Sequence, residues 1–183
     1  MLNAGVRPLP AEVHTVDFRV FGNVHLRANT GTAWLLNAED RPSLTVTQAK
    51  VHAASIDEPV ERAGLLHEPA FLAIPKGRIL WVAGGDLDRT LSGQGRVMRR
   101  ITLLYADYLL RGTAPIRPEL RLSDALGQIM HTKPFLTLHD VRVERPAADG
   151  ERNPRGALVR EHEHVSVNLR LVGGIFDERD GRS

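Results

Sequence analysis

The chain contains no cysteine. Disulfides, thiolate metal sites and cysteine nucleophiles are therefore excluded, and the composition fits a cytoplasmic protein. No apolar run approaches the roughly 18 residues of a membrane-spanning helix. Residues 1–10 hold one arginine and no apolar stretch of signal-peptide length, so export by that route is not expected. Lysine is scarce, at three of 24 basic residues; this points to GC-rich coding rather than to a function. No Gly-x-Ser-x-Gly elbow is present. Gly93, Gln94 and Gly95 lack the third glycine of a dinucleotide fingerprint.

What is there is an ordinary globular balance. The 183 residues are 42% hydrophobic and 25% charged, enough for one domain or two small ones. The net charge of +2 and the pI near 9.4 agree, because arginine stays protonated far above neutral pH. Neither half is basic enough to read as a nucleic-acid module on charge alone.

One pattern organises the chain. A shift of ninety residues carries Phe18, Val20, Gly22 and Leu26 onto Tyr108, Leu110, Gly112 and Ile116, and Leu36 onto Leu126. A shift of ninety-two carries Leu44, Thr45 and Val46 onto Leu136, Thr137 and Leu138, and Ala49, Lys50 and Val51 onto Val141, Arg142 and Val143. The same unit occurs twice, with a two-residue insertion in the second copy.

In the first unit, residues 14–82, alternation from His14 to Leu26 predicts one strand. Val16, Phe18, Val20, Val24 and Leu26 face the core; Asp17, Arg19, Asn23 and His25 face water. Gly22 on the apolar face marks a bend or close approach. Residues 32–38 suit a two-turn helix capped by Thr32 or Thr30. Residues 43–52 read as a strand rich in β-branched side chains. Residues 53–68 read as an irregular connection, and 70–75 with 78–82 as a hairpin around Lys76 and Gly77.

Residues 83–95 read as a linker and 96–176 as the second unit, with a tail over 177–183. Residues 96–111 carry a helix-like spacing, but the repeat assigns them to one long strand from about Arg100 to Ile116. Residues 121–128 match the short helix, with Gly127 ending it. Residues 135–144 form the next strand, 145–156 a polar loop, and 163–171 with 174–176 a closing hairpin. The expected fold is mainly β: two tandem, pseudo-symmetric small β-barrel or sheet units, each with one short helix.

The second unit resembles a bacterial family of unknown function. The matching residues are Arg121, Leu122, Ser123, Asp124, Ala125 and Leu126 at the helix start, and Phe135, Leu136, Thr137, Leu138, His139, Asp140, Val141, Arg142 and Val143 in the strand. The first unit fits the same plan loosely, with Thr32, Ala33, Trp34 and Leu35 in the helix position and Phe71 to Ile79 as the hairpin. The strands around Val46, Ile74 and Ile79 are also similar in architecture to Sm-like small barrels, apart from the inserted helix. Neither resemblance implies an activity.

Candidate chemistry is sparse. Glu161, His162, Glu163 and His164 form the most suggestive cluster. On a strand, His162 and His164 share a face and offer two imidazoles to a metal, with His139 or Asp140 as a third ligand. A solvated strand start explains the same residues. Arg96, Arg99 and Arg100, with Arg111, Arg117 and Arg121 nearby, suit phosphates, and Tyr105 or Tyr108 suits base stacking. Basic residues also protect a strand edge. Ser123 and Asp124 suit helix-start hydrogen bonds better than nucleophilic chemistry. Asp86, Asp88 and Thr90 lack the glycine and terminal glutamate of a calcium loop.

The composition and motifs point to a non-catalytic interaction, scaffold or self-assembly module with no cofactor. Its partner is then another protein or a second copy of itself. Two other readings are an RNA- or single-strand-binding protein using Arg96, Arg99, Arg100 and Tyr105, and a metal-dependent sensor or enzyme using His162 and His164.

Overall fold

The computed structural model describes residues 5–53, 64–86, 95–105, 108–145 and 157–177. The chain is mainly β and divides into two units, residues 1–91 and 92–183. Among the described residues, no helix is long and apolar enough to cross a membrane.

The first unit contains β1 (Val6–Thr15), β2 (Phe18–Arg27), α1 (Thr32–Asn37), β3 (Ser43–Ala53), β4 (Leu65–His67), β5 (Phe71–Pro75) and β6 (Ile79–Gly84). A single 3-10 turn, Lys76–Arg78, joins β5 to β6. The sheet is antiparallel. β1 pairs with β2 and β6, β2 with β3, and β3 with both β4 and β5. Core residues line up across it. Val82, Val13, Val20 and Val51 form one register row, and all are buried. Leu35 and Leu36 of α1 are buried as well.

The second unit contains β7 (Val97–Tyr105), β8 (Tyr108–Ile116), α2 (Leu122–Thr132), β9 (Phe135–Arg145), β10 (Ala157–Asn168) and β11 (Gly174–Asp177), with a 3-10 turn, Leu169–Leu171, before β11. Its order is β11-β7-β8-β9-β10. The row equivalent to the valines above is Ile175, Leu103, Leu110 and Val143.

The two units share their register strand by strand. Val13 pairs with Val20 and Leu103 with Leu110; Phe21 pairs with Lys50 and Arg111 with Arg142; Leu44 pairs with Ile74 and Leu136 with Val167. Each unit also breaks its ladder at a matching place. The register slips between Phe21 and Asn23, and between Arg111 and Thr113. Gly22 and Gly112 lie in these bulges. A Cβ on Gly22 would stand 2.8 Å from the Thr47 carbonyl oxygen, and one on Gly112 2.9 Å from that of His139. Facing them, Gln48 and Asp140 both have φ of 51°. Glycine is required at each bulge because the opposite backbone occupies the space of a side chain.

Several expectations are corrected. Residues 14–26 are not one strand: β1 ends at Thr15, β2 begins at Phe18, and Thr15 Oγ1 accepts from the backbone N–H groups of Asp17 and Phe18 to close the turn. The first unit therefore starts with β1, ahead of His14, and Pro8 and Pro10 obscured that strand's pattern. Residues 100–116 are likewise two paired strands, β7 and β8. The predicted hairpins are crossovers: β5 pairs with β3 and β6 with β1, while β10 pairs with β9 and β11 with β7. The connection read over 53–68 contains β4. α2 does not end at Gly127 but runs through it to Thr132. The cap of α1 is Gly31, without a side-chain bond; Thr32 Oγ1 bonds to Gly84 O and Thr30 Oγ1 to Arg27 O. Residues 87–94 of the linker, 146–156 of the polar loop and 178–183 of the tail lie outside the described residues.

Candidate interaction edge

β3 is the template for one edge of the first unit. Its first half, Ser43 to Thr47, pairs with β5, and further along Val51 and His52 pair with β4. Pro69 separates the two short strands, since it has no N–H to give to a ladder. The backbone still stays on β3 there: Ala49 N donates to Pro69 O at 3.2 Å and Gln48 N to Ala70 O at 2.9 Å. In the second unit β10 runs as one strand through the equivalent positions.

Register shows which way the edge points. Lys76 N donates to Pro42 O at 3.0 Å, which makes Leu72 and Ile74 the residues bonded to β3. Antiparallel strands alternate bonded and non-bonded pairs. The backbone groups of Phe71 and Ala73 therefore point away from β3, and among the described residues β5 pairs with β3 alone. Pro75 closes the end of the row without a donor.

The edge is apolar. Leu65, Leu66 and Phe71 are 50%, 55% and 66% exposed. Beside it lies an open groove of about 580 Å³, lined by Phe18, Val51, Leu66, Pro69 and Leu72, with Asp17, His67 and Glu68 completing it. Both acids are engaged: Glu68 is 3.5 Å from Lys50, and Asp17 pairs with Arg78. Apart from His67, the rest of the lining is apolar.

The residues singled out from sequence are distributed differently. His162 and His164 are half-buried on β10, opposite Val141 and His139. Asp140 is exposed at the bulge beside His139. Among the described residues, no three His, Asp or Glu side chains are grouped so as to hold a metal ion. Glu161 is 3.3 Å from Arg142. The matching first-unit positions are Pro69 and Phe71, not His67 and Glu68, because His67 pairs with Val51 as Arg160 pairs with Val143.

Arg96 and Arg100 are exposed, while Arg99 is half-buried and donates from Nη1 to Leu120 O at 3.0 Å. Tyr105 is a correction. It is 2% exposed, and its hydroxyl donates to Asn168 O at 2.9 Å. Burial pushes its pKa up, and the ring has no free face for a base. Ser123 and Asp124 do not cap α2; Ser123 Oγ bonds to Asp124 Oδ1 at 3.4 Å, and Arg121 is the cap residue. Asp86 pairs with Arg7, and its carbonyl accepts from Thr32 N. Asp88 and Thr90 lie outside the described residues, as do Gly93 and Gln94.

The sequence reading missed a buried polar cluster in each unit. In the first, His14 stacks on Trp81 with centroids 4.4 Å apart, and its Nε2 is 2.6 Å from Glu12 Oε1. Arg19, assigned to the water face, is fully buried, with Nε 3.6 Å from the same Glu12 oxygen and its guanidinium over Phe21. In the second, Arg111 Nε donates to Glu144 Oε2 at 2.7 Å and Glu144 is 4% exposed. Alternation alone placed Arg19 in water because period two identifies a face, not what covers it. An Arg and a Glu at diagonal positions on neighbouring strands are the signal that could have found both. These pairs lie on the sheet face that does not carry the valine row. The chain matches no family model, no curated protein and no solved structure.

Proposed function

We propose that the chain is a non-catalytic self-assembly module that associates by strand addition at the β4–β5 edge. The outward backbone groups of Phe71 and Ala73, flanked by exposed Leu65, Leu66 and Phe71, carry this reading. Strand addition takes affinity from main-chain hydrogen bonds and specificity from adjoining side-chain pockets. The groove beside β4 is such a pocket. Long apolar edges are otherwise a liability that proteins blunt with charge or proline. Here the charges at the rim are spent on each other, and the outward groups of Phe71 and Ala73 lie open between Pro69 and Pro75.

The shared register supports a tandem duplication of one ancestral unit. The order β6-β1-β2-β3-β5, with a 3-10 turn between β5 and β6, supports the architectural likeness to Sm-like barrels. The cysteine-free composition supports a cytoplasmic setting. In the second unit, β11 pairs only with β7 among the described residues. Joining an edge of one unit to a different edge of another copy is a heterologous contact, which produces a ring or a filament.

Static light scattering across a concentration series tests the proposal. The wild type runs as an assembly heavier than the 20.3 kDa chain, and Leu66→Lys shifts it toward the monomer. A wild type that stays monomeric at every concentration removes self-assembly.

A further inference from the structure

We infer that one face of the second unit docks on an anionic lipid membrane surface. The patch is built by strand alternation. Met98, Arg100 and Thr102 share a face of β7. Their partners on β8 are Pro115, Thr113 and Arg111. Phe176 of β11 pairs with Thr102 and projects on the same side. Arg96 and Arg117 stand just beyond the Val97–Ile116 pair, at the open end of the hairpin.

The face is both basic and apolar. Met98 and Phe176 are 53% and 52% exposed, and Arg96, Arg100 and Arg117 are exposed. Among the described residues, none of these three arginines makes an ion pair. Others do: Arg7 with Asp86, Arg78 with Asp17, and Arg142 with Glu161. Arg111, further along the same face, is neutralised by Glu144. Exposed Glu119 is the one carboxylate between Arg117 and Arg121 in sequence.

Guanidinium groups match phosphate oxygens in a planar, two-pronged geometry. That alone suits lipid headgroups and nucleic acids equally. The apolar side chains decide between them. Methionine and phenylalanine beside arginines can enter the headgroup–acyl boundary while the cations hold phosphates. On a nucleic acid, Met98 has no role, and Phe176 is a lone ring where successive bases need several. The buried Tyr105 supplies none. The patch is built from residues of the second unit and the strand-addition edge from residues of the first, so each is tested by its own variants.

Co-sedimentation with vesicles tests the inference on the full chain. Vesicles of phosphatidylcholine mixed with phosphatidylglycerol should bind the protein, and pure phosphatidylcholine vesicles should not. Binding should weaken as salt rises. The triple variant Arg96→Gln, Arg100→Gln, Arg117→Gln should lose roughly 100-fold in affinity, at about fivefold per arginine. Phe176→Ser should lose affinity several-fold without changing the salt dependence. Unchanged thermal unfolding checks that both variants are folded. Equal binding to the two vesicle types overturns the inference for the wild type alone. So does retention of a single-stranded oligonucleotide with no capture by acidic vesicles.

Discussion

Replacing Gly22 by alanine should destabilise the protein through a clash that the fold cannot relieve cheaply. The added Cβ would lie 2.6 Å from Val46 Cγ1, 2.8 Å from Thr47 O and 3.2 Å from Ala49 Cα. Val46 can rotate only within a closed core, where it is fully buried. Thr47 O and Ala49 Cα are backbone beside Gln48, whose φ of 51° already fixes the bulge. Overpacking of this kind costs about 1–3 kcal/mol, and the two backbone contacts place Gly22→Ala at the upper end. At about 2–4 °C per kcal/mol, the melting temperature should fall by roughly 5–10 °C. Gly112→Ala should fall less, since its contacts begin at 2.9 Å and continue at 3.2 Å to Val141 Cγ2. Gly127→Ala is the control with opposite sign. Its Cβ meets nothing within 4 Å inside α2, so helix propensity should raise stability by up to about 1 kcal/mol. Thermal and urea unfolding followed by circular dichroism gives all three values. A neutral or stabilising Gly22→Ala would refute the close-approach argument.

Other perturbations probe separate parts of the structure. Tyr105→Phe removes the hydroxyl bond to Asn168 O and should cost about 1 kcal/mol at neutral pH. Because burial raises the Tyr105 pKa above 10.0, the folded state keeps its proton where the unfolded chain releases it. The stability it contributes is whole below pH 10 and declines above it, so Tyr105→Phe should flatten the alkaline limb in urea titrations. Lys76→Met should cost about 1–2 kcal/mol, since Nζ donates to Leu35 O and Ala38 O at the end of α1; unfolding in urea measures it. Arg111→Met leaves buried Glu144 with Arg142 at 4.0 Å as its remaining cation, a loss of about 2–3 kcal/mol. Changing Glu144→Met as well should recover part of that loss in a double-mutant cycle.

The matched registers of the two units were partly legible because they rest on backbone needs that residue type records. Glycine at 22 and 112 and the alternating aliphatics of β3 and β9 describe sites where only certain side chains fit. Strand ends were less legible. Val16 and Asp17 continue the alternation of β1 into β2, and only the turn bonds of Thr15 reveal the break. Pairing partners were not legible at all: Lys76 and Gly77 look like a hairpin turn, yet β5 and β6 attach to different strands. The edge itself is a tertiary property. Leu65 and Leu66 read as part of an irregular connection and Phe71 as a hairpin strand, and only the register among the described residues places all three, exposed, along one edge. Tyr105 erred in the other direction, since an aromatic among arginines suggests stacking while its hydroxyl in fact serves the core.

Ala73→Pro tests the account most directly. Its N–H points away from β3, so proline there leaves the native ladder intact and removes one donor from the free edge. Light scattering on wild type and variant at matched concentration, with thermal unfolding to confirm the fold, is the measurement. The account predicts a wild-type assembly and an Ala73→Pro protein that is folded and shifted to the 20.3 kDa monomer. An assembly of unchanged mass in the folded variant would contradict it.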